Sequence, residues 1–170
     1  MGIFRRSTSE PLGVTMTGVK LGDRFLSIGL RDPKLIAALA VKAGLTGRAC
    51  ATDADPARAS GGAATLEAEG ALVEVVHAPW DALPYDAASV DVALVRDVFS
   101  TLVPDQRVRC ATDVLRVLRG GGRLIVVEST KRTRIDPASL TSALTTAGFA
   151  AVRVLAEAEA TIFVEGIKKA

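Results

Sequence analysis

Apolar positions along this chain alternate between short strand-like runs and longer stretches with helical spacing. Arg24–Ile28 reads as a first strand. A helix follows, with Asp32 as its cap, Pro33 at its first position, an apolar stripe of Leu35, Ile36 and Leu39, and Gly44 as its stop. Arg48–Thr52 reads as a short second strand, and Asp55-Pro56 repeats the same helix start. Gly61-Gly62 lies inside that second helix and is expected to weaken or break it. Leu72–His77 and Val90–Val95, both Val-rich, predict strands three and four. The clearest amphipathic pattern is Asp105–Leu118, with Val108, Ala111, Leu115 and Leu118 on one face and Arg107, Arg109, Asp113 and Arg116 mostly on others. Gly120-Gly121-Gly122 is expected to end it in a turn before strand five, Leu124–Val127. Asp136-Pro137 opens a further helix that runs to Gly148. Ala151–Leu155 and Thr161–Val164 then predict a hairpin with a Glu-rich connection.

Strands alternating with helices, each strand nearly continuously apolar, imply an α/β fold of the Rossmann-like, doubly wound kind. Its sheet is mostly parallel and covered on both faces, and the two consecutive C-terminal strands add an antiparallel edge. Residues 1–20 show little periodicity and read as a flexible N-terminal arm; residues 21–170 read as one domain.

Aromatic residues make up only 4% of the 170 residues, so the core must come from Ala, Val, Leu and Ile. The net charge of +2 is too small to imply nucleic acid or an anionic membrane as partner, so charge arguments must be local. Cys50 and Cys110 are far apart and in no metal spacing; both read as small buried hydrophobes, which fits a reducing cytoplasm. The N-terminus lacks the apolar stretch of a signal peptide, and the run from Leu35 to Val41 is far too short to span a bilayer. The expected location is therefore cytoplasmic. One His, His77, permits no Ser-His-Asp or Cys-His arrangement, and it reads as a packed or capping residue; no metal cluster is apparent. Lys131-Arg132-Thr133-Arg134 is the one local basic cluster, either a solvated loop or a surface for an anionic partner.

Several short segments, in order and spacing, carry a resemblance over Gly22 to Gly166. These are Asp23–Gly29 ahead of a turn, Asp53 closing strand two, Leu83-Pro84-Tyr85 after strand three, Ser89–Val95 as strand four, and Gly120-Gly121-Gly122-Arg123 ahead of strand five. Together they resemble a class I S-adenosylmethionine (SAM)-dependent methyltransferase, of the methyltransferase type 11 kind. The resemblance implies SAM as cofactor, held by residues at the carboxyl ends of the strands. It implies cofactor-binding roles for Gly29, Leu30, Arg31, Asp53, Ala54, Trp80, Asp81 and Arg96. No catalytic residue is implied, because methyl transfer needs chiefly an aligned nucleophile.

The family turn Gly-x-Gly-x-Gly is altered here. Its acidic neighbour is Ser27, its first glycine is Gly29, its second is Arg31 and its third is Pro33. Arg31 could fill the space of the methionine part, swing to solvent or bind the cofactor carboxylate. Asp53 lies 24 residues past Gly29, where the family's ribose-binding acid is found, and could alternatively be a cap before Asp55-Pro56. Pro79 replaces the family's adenine-facing acid; Asp81 is a nearby substitute. Trp80 could stack on adenine or plug the pocket. Two readings follow. One is an active SAM-dependent methyltransferase with an unknown acceptor. The other is a catalytically inactive methyltransferase-like domain that serves a protein complex, with a protein partner or a second copy of itself. A weaker third is a different nucleotide, with Arg31 taking its phosphate.

Overall fold

Asp32, Asp55 and Asp136 each cap a helix through a side-chain oxygen, accepting from the backbone N–H of Leu35, Arg58 and Ala138 at 3.1, 3.0 and 3.0 Å. Each is followed by proline at the first helical position, where the missing N–H costs nothing. The computed structural model describes residues 11–131 and 133–170. In chain order the elements are α1 (Leu12–Thr17), β1 (Arg24–Ile28), α2 (Pro33–Ala43), β2 (Arg48–Asp53), α3 (Pro56–Ala68), β3 (Glu74–His77), β4 (Val90–Arg96), α4 (Pro104–Val117), β5 (Leu118–Ser129), α5 (Pro137–Ala147), β6 (Ala150–Ala158) and β7 (Thr161–Ile167). A single 3-10 turn, Phe99–Thr101, precedes α4.

The seven strands form one sheet in the order β3-β2-β1-β4-β5-β7-β6. β1 to β5 pair in parallel, while β7 runs antiparallel to both β5 and β6. This is the expected doubly wound sheet with its antiparallel edge. One core layer lies under α4 and α5 and includes Leu26, Ala93, Cys110, Val114, Leu124, Val126 and Leu140. The other lies under α1, α2 and α3 and includes Val14, Phe25, Ile36, Leu39, Leu66, Leu94 and Ile125. Successive strand residues thus feed opposite layers, which is why the strands carry almost no polar positions. The strand order reverses between β1 and β4, and the carboxyl ends of these two strands border a crevice.

Four local expectations are corrected. α3 runs unbroken through Gly61-Gly62. A Cβ at Gly62 would lie 2.9 Å from Leu30 Cδ2, so this glycine lets the helix seat on Leu30, whereas Gly61 faces open space. Gly120-Gly121-Gly122 is not a turn but part of β5, which already starts at Leu118. Its register against β4 shifts between Val90 and Val92; Gly121, at φ +75°, donates its N–H to the Lys168 carbonyl at 2.9 Å. The glycines therefore serve a bulge. β3 starts at Glu74, two residues late, and the hairpin strands reach Ala158 and Ile167. Glu159 and Ala160, at φ +54° and +55°, make its tight turn. As for the N-terminal arm, residues 1–10 lie outside the described residues, and α1 buries Val14 and Thr17. Among the described residues no helix is long and apolar enough to cross a membrane.

At the amino edge of the sheet, Asp91 joins three strands. It accepts from the Arg24 backbone at 2.7 Å and from the Arg24 guanidinium at 3.0 and 3.1 Å, and it pairs with Arg119. The Arg24 hydrogen bond holds the Asp91 carboxyl well below the usual carboxylate range, against the opposing effect of burial. Its stabilising contribution is thus complete above about pH 4 and lost as the pH falls through the lowered folded value. Asp91→Asn is expected to destabilise by about 1–2 kcal/mol at pH 7, because the exposed arginines retain water as a partner. Chemical denaturation at pH 7 checks this.

Candidate functional site

The crevice begins at the β1–α2 turn. Gly29 sits at φ +95° and donates its N–H to the Thr52 carbonyl at 2.8 Å. A Cβ there would lie 2.6 Å from the Arg96 carbonyl oxygen and 2.9 Å from Val98 Cγ2. The one retained glycine is thus required by the protein's own backbone. Ser27, fully buried near the end of β1, donates its hydroxyl to the Gly29 carbonyl at 3.2 Å and ties the turn internally.

Asp53 closes β2 and is 4% exposed. Its Oδ2 accepts from the Leu30 N–H at 2.9 Å and its Oδ1 from the Asp55 N–H at 2.8 Å. Arg58, in the first turn of α3, donates Nε to both oxygens at 3.2 and 3.1 Å. Arg58 also reaches Asp55 at 3.4 Å. The Asp53 hydrogen bond raises the guanidinium pKa above its ordinary value.

Across the crevice, β4 ends in Arg96 and Asp97. Arg96 pairs with Asp32 at 3.2 Å and stands 3.7 Å from Asp97; its Nε is buried without a hydrogen-bond acceptor among the described residues. Asp32 therefore both caps α2 and holds Arg96. Asp97, at φ +51°, accepts from the Ser129 N–H at 2.8 Å, which locks the start of the β4–α4 loop to β5.

These elements enclose a cavity of about 310 Å³. Six of the eight candidate residues line it together: Gly29, Arg31, Asp53, Ala54, Trp80 and Arg96. The other two do not. Leu30 turns its side chain into the core against Gly62 and offers only its backbone to Asp53. Asp81 pairs with Arg109 at 3.7 Å. Arg31 is exposed at the rim. Trp80 is half-buried, packed on the core, with the Arg109 guanidinium 5.5 Å from its ring centroid, so it walls the cavity without filling it. His77 is exposed at the end of β3, and its Nε2 is in hydrogen-bond contact with the Ala54 carbonyl at 3.1 Å, so it is not packed in the core. The Leu83-Pro84-Tyr85 segment is docked on α4 instead: Leu83 donates to Asp113 at 2.6 Å, and Arg116 bonds the Leu83 and Tyr85 carbonyls at 2.9 and 2.8 Å. Arg132 of the basic cluster lies outside the described residues.

Sequence reasoning missed Arg58, Val98, Thr101 and Gln106 as lining residues. Arg58 had a signal: a cation in the first turn of a helix opposes the helix dipole unless acids hold it, and here Asp53 and Asp55 do. A second cavity, about 600 Å³, shares Arg96 with the first, is lined also by Asp32, and extends between α1, α2 and the β6–β7 turn.

Glu128, fully buried on β5, holds the loop that forms one wall. Its Oε1 accepts from the Phe99 N–H at 2.8 Å, and Oε2 lacks a partner among the described residues. Burial pushes this carboxyl up to about 7; Ser100 opposes the shift and the nearby Asp97 charge adds to it. The fold therefore holds a proton that the unfolded chain releases near pH 4.5, so stability falls as pH rises from about 4.5 to about 7 and is level above it. Glu128→Gln keeps an acceptor for Phe99 and removes the buried charge. It is expected to stabilise by about 1–3 kcal/mol at pH 8 and by little at pH 5, as thermal melts at both pH values will show. Among the described residues no group of three or more His, Cys, Asp or Glu could hold a metal ion.

A profile of the methyltransferase domain family matches residues 26–126. Solved structures share the fold. A SAM-dependent methyltransferase from Aquifex aeolicus has a TM-score of 0.81 at 19% identity, over 91% of this chain and 87% of that one. A Haloferax volcanii complex that contains the Trm112 methyltransferase activator gives 0.74 at 17%, over 93% and 87%. A SAM-dependent O-methyltransferase from Thermotoga maritima gives 0.72 at 19%, over 92% and 63%. At these identities the likeness is one of fold. Among curated proteins, none matches by sequence.

Proposed function

The chain belongs to the methyltransferase domain family, with the class I SAM-dependent fold, and on that premise we propose that it binds SAM in the crevice between β1 and β4 and transfers a methyl group to an acceptor. One observation carries this reading: a single cavity at the topological switch point gathers Gly29, Arg31, Asp53, Ala54, Trp80 and Arg96 from four separate strand ends. Its size, about 310 Å³, lies at the small end of ligand pockets. SAM supplies an activated methyl group on its sulfonium when bound.

The residues present fit that group in most respects. Asp53 is the acceptor for ribose hydroxyls. Trp80 offers a ring face beside Ala54. Arg96, already paired with Asp32 and close to Asp97, places a cation on the cavity wall, and Arg31 adds a second at the rim. The neighbouring cavity, which shares Arg96, gives space for an acceptor walled by α1 and the hairpin turn. The misfits are Asp53, whose lone pairs are already taken, and the replacements Ser27, Arg31, Pro33 and Pro79.

These misfits also favour a second reading, a binding subunit without catalysis. An activator such as the one in the Haloferax volcanii complex represents the kind of protein partner that either reading accommodates. Thermal stabilisation by SAM and by its demethylated product S-adenosylhomocysteine (SAH) tests the first reading; a folded protein that neither ligand shifts at millimolar concentration contradicts it.

A further inference from the structure

We propose that Arg58 is the residue that gates this crevice, occupying the Asp53 carboxylate until a nucleoside diol displaces it. This rests on the SAM reading above and adds to it the residue that sets access and affinity.

A carboxylate has about four acceptor sites. Those of Asp53 are filled by the Leu30 N–H, the Asp55 N–H and the shared Nε of Arg58. The two backbone donors are fixed by the ends of β1 and β2 and cannot leave without breaking the sheet edge. Arg58 is different. Its side chain is 39% exposed, it reaches Asp53 from the first turn of α3, and its second partner, Asp55, is 41% exposed. It can swing to solvent and keep Asp55. Asp53, 4% exposed and lining the cavity, cannot follow. A vicinal diol donates two hydrogen bonds to one carboxylate, so it replaces the Nε contacts one for one. It does not replace the charge. Binding is therefore opposed by the loss of a partly buried ion pair, and removing the guanidinium removes that opposition.

A merely structural Arg58 makes the opposite forecast: its loss would loosen the α3 start and weaken binding. The experiment is calorimetric titration of wild-type, Arg58→Gln and Arg58→Ala protein with SAH, and with adenosine against its 2′,3′-dideoxy analogue, which lacks the vicinal pair of ribose hydroxyls. Circular dichroism verifies that each variant is folded. We expect SAH and adenosine to bind about tenfold more tightly to both variants, with no gain for the dideoxy analogue. SAH binding that is unchanged or weaker in both folded variants overturns the gate and leaves the SAM reading intact. An equal gain for the dideoxy analogue also overturns it, because the gain would then not pass through Asp53. No binding of SAH to any of the three proteins overturns both the gate and the SAM reading.

Discussion

Gly29→Ala is expected to destabilise the protein by about 2–4 kcal/mol, the sum of a residue forced to positive φ and an overlap that cannot relax cheaply. The φ of +95° excludes a comfortable L side chain, and the nearest obstacle, 2.6 Å from the new Cβ, is the backbone oxygen of Arg96 rather than a movable side chain. Relief requires β1 and β4 to separate at their carboxyl ends, which also reshapes the crevice. Urea denaturation measures the loss. Gly61→Ala is the internal control: the same substitution meets no atom within 4 Å and sits in a helix interior, so it is expected to stabilise by about 0.5–1 kcal/mol. Equal effects of the two would show that the Gly29 turn is not the constraint described above.

Asp53→Ala is expected to act on stability and binding together. It leaves two backbone N–H groups, of Leu30 and Asp55, and one guanidinium without their acceptor. That costs about 2–4 kcal/mol of folding free energy, with the guanidinium least affected because it can turn to water. The effect on SAH affinity depends on Arg58. In the wild-type background the deletion removes the diol acceptor and the competing ion pair at once, so the loss is about tenfold. In the Arg58→Gln background, where the acceptor is free, it rises to about 100-fold. A double-mutant cycle in SAH affinity reads this coupling, and losses that are equal in both backgrounds contradict it.

The architecture was legible because it rests on local rules that nothing tertiary overrides. The three Asp-Pro starts and the Gly148 stop stand where local capping signals put them, and each Val-rich run is a strand. The misreadings share a cause. Propensity alone misplaces Gly62 and Gly121, because each is set by a contact distant in sequence: Leu30 under α3 in one case, the Lys168 carbonyl across the sheet edge in the other. Strand ends erred by a few residues for the same reason, since pairing partners decide them. At the site, the placement of Asp53 beside Gly29 follows from β1 and β2 being parallel neighbours, and it is the resemblance, with its spacing past Gly29, that points to it. What the resemblance could not reach is rotamer and direction. Leu30 and Asp81 sit next to lining residues in the chain but point to Gly62 and Arg109. Arg58 contributes through a side chain five residues away from the carboxylate that it covers.

The central claim, a SAM crevice at the β1–β4 switch point, is tested most directly by titrating the wild-type protein and Arg58→Gln with SAH. The predicted result is saturable binding in both, tighter in Arg58→Gln and weakened by Asp53→Ala. No saturable heat from either folded protein up to millimolar SAH would contradict it.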